Sequence, residues 1–208
     1  MCVDKTLRRL NALRGDDNFK KFFAQEIIVN GKIFRSLDEI IALLPVAVER
    51  LLFENAEKYF SVIHGDLCLP NILLAESHKF LRLVDPRGKF GDFDIYGDWR
   101  YDLAKLLHSL EGRYDFIIED EFTLNVCGTA IDYEMPRDFA EVKEIFFAVF
   151  KSQLAENLSA IRLIEATLFL SMIPLHSDSL SRQMVMLATG VELFEAVLSD
   201  AKISGGSQ

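Results

Sequence analysis

Cysteine is scarce in this chain: three residues, an odd number, scattered at Cys2, Cys68 and Cys127. They form neither a disulfide framework nor the closely spaced pairs of a zinc site. Thiols used this way fit a reducing compartment, so a cytoplasmic location is expected. Basic charge is also short, with 23 Lys and Arg against 32 Asp and Glu and a formal net charge of −9. Binders of nucleic acid carry basic patches, so nucleic acid is not an expected partner. An acidic surface suits solubility and is compatible with a cationic substrate. No apolar run stands out as transmembrane in length, and the opening MCVDKTLRRLNALRGDD is too polar for a signal peptide. No membrane span is expected, and no internal repeat is visible. What the chain does have is apolar mass. Half of its 208 residues are hydrophobic and 17 are Phe, enough for one domain with a real core.

The organising stretch is VIHGDLCLPNILLAESHKFLRLVDPRGKFGDFDIYGDWRYDLAK, residues 62–105. Val62 and Ile63 end in His64-Gly65-Asp66, which reads as a strand giving way to a loop. Ile72–Leu74 and Phe80–Val84 are two apolar runs around the short polar piece 75–79, the pattern of a hairpin. Asn71 precedes the first run and Asp85 follows the second. Antiparallel pairing puts them at one end, with Asp66 close by. Three oxygen-bearing side chains gathered there suit phosphoryl transfer. Mg²⁺ takes a few hard oxygens and keeps water and phosphate oxygens for the rest. A separate carboxylate must receive the proton of the attacking hydroxyl. Asp and Asn are also common turn and capping residues, which leaves a plainer reading for each one alone.

The flanks read as support. Leu7, Leu10 and Leu13 give a helical spacing over 4–14. Asn30-Gly31 between two apolar runs predicts a hairpin, because both turn positions need positive φ. Ser36-Leu37-Asp38-Glu39 is a capping box opening a helix toward Tyr59, with Pro45 as a kink or break. Asp98 or its neighbour opens a helix through Leu110, ended by Gly112. Asp92, Asp94 and Asp98 are either metal or substrate contacts or loop and cap carboxylates. Trp99 and Tyr101 either line a pocket or pack beside the loop. His108 reads as a satisfied structural histidine, and Cys68 as a small buried apolar residue. Residues 115–133 read as a short strand or hairpin. Helices are expected from Arg137 to Val149, Leu154 to Met172 and Ser181 to Leu198, and their Phe and Met stripe is core rather than a cofactor box.

His-x-Asp followed after four residues by Asn is the spacing of a kinase catalytic loop. Here it is spelled His64-Gly65-Asp66-Leu67-Cys68-Leu69-Pro70-Asn71. With the later Asp85-Pro86-Arg87-Gly88 and GDWRYDLA, the segment resembles the aminoglycoside phosphotransferase and choline kinase family. Its wording is similar to kinase-like proteins of bacterial capsule and surface-polysaccharide pathways. The resemblance implies an α+β, mainly α fold: the C-terminal lobe of a protein-kinase-like structure, with a catalytic-loop hairpin packed on helices. It implies Asp66 as the catalytic base and Asn71 and Asp85 as Mg²⁺ ligands. Gly88 takes the place of the glycine in the kinase Asp-Phe-Gly segment. Asp102 braces the loop through its backbone, and His64 packs within it. Asp98 and Trp99 are substrate or loop candidates. His176, near Pro174, falls where the family can border its acceptor pocket.

The implied activity is ATP- and Mg²⁺-dependent phosphorylation of a hydroxyl on a small molecule, first a sugar or polyol of surface-polysaccharide synthesis, second an amino-alcohol or aminoglycoside. The resemblance covers one lobe. Before His64 there is no Gly-rich loop, and Lys20, Lys21 and Lys32 lack the strand context of a nucleotide-binding lysine. A fragment of a longer enzyme, a half-enzyme that borrows its other lobe from a partner chain, and a non-catalytic binding module are the alternatives. A homodimer is left open. One domain is expected over 1–202, with lead-in helices and hairpin over 1–60, a catalytic and metal-binding segment over 61–112, a helical substrate-side part over 113–202, and a frayed tail over 203–208.

Overall fold

The computed structural model describes residues 2–76 and 80–203. The middle of the hairpin connector (77–79) and nearly all of the expected tail lie outside these.

Local signals set the first third of the fold. α1 (Cys2–Ala12) places Leu10 in the core, and α2 (Lys20–Ala24) adds Phe22 and Phe23. β1 (Ile27–Val29) and β2 (Lys32–Phe34) pair around Asn30-Gly31, whose φ values of 48° and 76° are both positive. At the start of α3 (Leu37–Val48), the Ser36 hydroxyl accepts the Glu39 N–H and the Glu39 carboxylate accepts the Ser36 N–H at 2.9 Å. Both halves of the expected capping box are therefore made. Pro45 sits within α3, which then widens into a π-turn at Glu49–Phe53 and stops short of the expected Tyr59. The stop has a physical reason. The Leu51 and Leu52 carbonyls are taken by the Arg100 guanidinium instead of by further helical amides.

β3 (Phe60–Val62) leads into the organising stretch. β4 (Ile72–Leu74) and β5 (Leu81–Leu83) form its hairpin in the register Ile72 opposite Leu83. β6 (Tyr96–Asp98) returns antiparallel to β3. α4 (Arg100–Leu110) follows, then α5 (Tyr114–Ile118), where a strand was expected. The extended part comes later, as β7 (Thr123–Cys127) and β8 (Ala130–Glu134) around Gly128. β8 also lies parallel to β1, giving a four-stranded sheet in the order β2-β1-β8-β7.

α6 (Ala140–Val149) and α7 (Lys151–Leu154) precede α8 (Leu158–Met172). The single helix expected from Leu154 is thus divided, with the Asn157 amide tied to the Gln153 carbonyl at the break. α9 (Leu180–Asp200) closes the fold after a 3-10 turn at Ile173–His176. Helix makes up 57% and small sheets 14%, so the class is α+β and mainly α.

α8 joins the two halves of the core. Leu163, Ala166, Phe169 and Leu170 belong to one buried cluster with residues of α1, α3 and α9, while Ile161, Ile164 and Leu168 belong to another with residues of α4 and α6. A helix buried on both sides must be apolar all round. For the same reason Leu158–His176 has the length and hydropathy of a membrane span, contrary to the sequence expectation, yet 67% of that stretch is buried inside the chain.

Glu165 and His108 in this core make no side-chain hydrogen bond among the described residues. Glu165 on α8 is fully buried with neither carboxylate oxygen hydrogen-bonded among the described residues. The adjacent Gly112 N–H is spent on the Leu107 carbonyl. Burial pushes the Glu165 carboxyl well above its ordinary range, so it is held protonated. His108 lies between the Tyr114 and Phe169 rings, at centroid distances of 4.4 and 4.3 Å. Its ring nitrogens have no hydrogen-bond partner among the described residues, so it is not the satisfied histidine expected. Burial drives its pKa well down and keeps it neutral.

The unfolded chain releases the Glu165 proton above its ordinary value of 4.5, whereas the folded chain keeps it. This group therefore removes stability as pH rises. Glu165→Gln is expected to raise the melting temperature at pH 8 and to change it much less at pH 5, as followed by circular dichroism.

Candidate functional site

The loop after β3 is shaped by one glycine. Gly65 has φ +77°, and a Cβ there would lie 3.0 Å from the Arg87 Cβ. The close approach lets the Arg87 N–H donate to the His64 carbonyl at 2.9 Å, which ties the segment after Asp85 to the loop. Only a residue without a side chain allows both the left-handed φ and the contact.

α4 then holds the loop from one face. The Asp102 carboxylate accepts the backbone N–H of His64 at 2.7 Å and of Gly65 at 2.8 Å. One turn on, the Lys105 ammonium is 2.9 Å from Asp66 Oδ1. One turn further, the Ser109 hydroxyl accepts the Leu69 N–H at 3.4 Å. Positions 102, 105 and 109 fall within about 60° of one another on a helix. Successive turns of α4 therefore grip successive positions of the loop.

Within the loop, the Asn71 side-chain amide donates to the Asp66 carbonyl at 2.9 Å, and the Cys68 N–H donates to the same oxygen. His64 Nδ1 accepts the Asp66 N–H at 3.3 Å, while its buried Nε2 has no partner among the described residues. The Cys68 thiol is half-buried, and burial pushes its pKa up, away from thiolate chemistry.

Asp85 stands where β5 ends. The Val84 N–H donates to the Asn71 carbonyl at 3.0 Å, so the hairpin sets Asn71 and the residue before Asp85 directly across from each other. Asp85 is exposed and adopts φ +56°. No described residue pairs with its carboxylate. The donors suit a divalent cation of the oxygen-seeking kind: Asn71 spends its amide N–H on the loop and keeps its carbonyl oxygen, and Asp85 offers a free carboxylate. Among the described residues no group of three or more His, Cys, Asp or Glu converges. A cation bound here would complete its shell with phosphate and water oxygens.

Asp98 is not at this site. Its carboxylate caps the Arg100 N–H at 2.9 Å and pairs with the Arg100 guanidinium at 2.6 Å. Trp99 packs edge-on against Tyr59, with ring centroids 6.0 Å apart. Asp98 and Tyr101 also border an apolar cavity beside β3 and β6. Asp92 and Asp94 are exposed on the loop before β6. His176 lies 3.3 Å from the Tyr114 hydroxyl, near α5.

The strands that carry the site are bare. Val62, Leu73, Leu74, Phe80, Leu81 and Leu83 are each about half exposed or more, as are Phe60 and Phe93. Beside them a mostly apolar cavity of about 570 Å³ is lined by Leu52, Phe53, Phe60, Phe90, Phe93 and Tyr101. No protein family, curated protein or solved structure matches the chain.

Sequence reasoning did not find Lys105 or Ser109. The signal was available as the i, i+3, i+7 spacing from Asp102, which needs α4 to be helical and turned toward the loop. Asp102→Asn leaves the helix intact but removes the charged acceptor of two amides. It should lower stability by about 1–3 kcal/mol. Hydrogen exchange at His64 and Gly65 should accelerate while exchange in α8 and α9 changes little.

Proposed function

We propose that this chain is the helical lobe of a protein-kinase-like small-molecule phosphotransferase. Its reaction is transfer of the γ-phosphoryl group of ATP to an acceptor hydroxyl. The observation that carries this reading is the loop itself. Asp66 is pinned at its backbone and side chain, and Asn71 folds back onto it, with Asp85 leaving the same end of the hairpin.

In the reaction the acceptor oxygen forms a bond to the γ-phosphorus as the bond to the bridging oxygen breaks, and the electron pair leaves on ADP. Asp66 receives the acceptor proton. Asn71 and Asp85 would hold Mg²⁺, which when bound would supply positive charge against the phosphates. Asp102 and Ser109 hold the loop so that Asp66 keeps its aim. The acceptor class, a sugar or polyol of surface-polysaccharide synthesis ahead of an amino-alcohol, rests on the resemblance of residues 62–105 alone.

A second reading, a half-site that another lobe or chain must cover, is favoured by the apolar strands. Exposed contiguous apolar surface of this kind marks an interaction face. On that reading the nucleotide-clamping part comes from elsewhere, and the chain binds nucleotide weakly alone.

Calorimetry on the purified chain separates the two. Mg²⁺-dependent ATP binding that disappears in Asp85→Ala supports the first. Binding absent from the wild type, together with self-association in sedimentation that Leu81→Lys abolishes, supports the second. In an active preparation, Asp66→Asn should lower turnover by about 10²–10⁴-fold. Turnover that survives this change excludes Asp66 as the base.

A further inference from the structure

We infer, resting on the phosphotransferase reading, that Lys105 contacts the terminal phosphoryl group of the bound nucleoside triphosphate. Its ammonium is 2.9 Å from Asp66 Oδ1, and its side chain is 9% exposed against 32% for Asp66. An ammonium has three donors. Asp66 is the one partner that Lys105 has among the described residues. A nearly buried ammonium with spare donors is costly unless something accepts from them. The cation is thus set beside a more open carboxylate, with capacity for an anion.

The chemistry assigned to Asp66 puts that anion within reach. A general base stands about 2.6–3.2 Å from the hydroxyl it activates, and that hydroxyl stands about 3–3.5 Å from the phosphorus it attacks. Phosphoryl oxygens therefore come within about 5 Å of the Asp66 carboxylate, where the Lys105 ammonium already lies. The loop provides no alternative cation, since Leu67, Cys68, Leu69 and Pro70 are all uncharged. Arg87, the nearest Arg in the clamped segment, turns its guanidinium toward the Tyr101 hydroxyl at 3.4 Å. Lys105 also stands on a buried helix rather than on a loop, so its charge is in place before the ligand arrives. A compact ammonium suits a phosphoryl oxygen as a point charge.

The contact implies that this residue distinguishes ATP from ADP. Calorimetric titration of the full chain with Mg·ATP and Mg·ADP reads the ratio of the two affinities. Lys105→Met is expected to cut the preference for ATP about tenfold, the scale of one charge-assisted contact. Asp66→Asn, which frees the ammonium of its counter-ion, is expected to raise the preference, and Lys105→Met in that background to remove the gain. Lys105→Arg should retain part of the preference, and Asp66→Asn still decides the matter if Lys105→Met does not fold. Equal weakening of ATP and ADP by Lys105→Met, or an unchanged ratio in Asp66→Asn, overturns the assignment while leaving the Asp85-dependent site intact. A wild-type chain without Mg²⁺-dependent nucleotide binding overturns the phosphotransferase reading of the isolated chain and this assignment with it.

Discussion

The geometry of the loop depends on a buried arginine outside it. Arg100 is the largest of the fully buried side chains. Its guanidinium pairs with Asp98, donates to the Leu51 and Leu52 carbonyls, and stacks 3.6 Å from the centre of the Tyr59 ring. A buried charge is tolerated when its donors are satisfied, and here they are shared among three segments. That network fixes where α4 begins and how it is rotated. A slip of one residue would turn the helix by about 100° and carry Asp102, Lys105 and Ser109 off the loop together.

The contrast with Glu165 and His108 shows how differently this chain treats its buried polar groups. Arg100 and Lys105 each have a carboxylate beside them. For Glu165 and His108 burial is the largest influence, and it disfavours the charged form of each. The charged pairs lie around the loop and at the start of α4, and the neutral ones lie deeper, against α8. Polarity is thus concentrated where the backbone is irregular, while the two-sided helix is left to apolar packing.

Much of this was legible in the sequence wherever the signal was local. Asn30-Gly31 specified its turn through backbone conformation, and Ser36 with Glu39 specified a helix start through two hydrogen bonds. The two apolar runs around the polar piece 75–79 specified the β4–β5 hairpin, and with it the proximity of Asn71 and Asp85. The failures were tertiary. Nothing near Glu54 or Asn55 announces that α3 must end for the sake of Arg100, some fifty residues later. Tyr114–Ile118 is apolar enough for a strand, and Gly112 and the left-handed Arg113 turn it into a short helix instead. The Lys105–Asp66 pair was hidden because partners far apart in sequence meet only once the helix and the loop are both in place.

Asp85 closes the hairpin in a left-handed conformation, without Cβ relief and without a partner among the described residues. An L-residue with a side chain gives up about 1–2 kcal/mol in that region relative to a residue free of it, somewhat less for Asp than for most. Glycine would sit there without strain. A chain shaped only by the need to stay folded would drift toward glycine at this position. On the proposed reading, the carboxylate here marks a place where thermal robustness and chemical use pull in opposite directions.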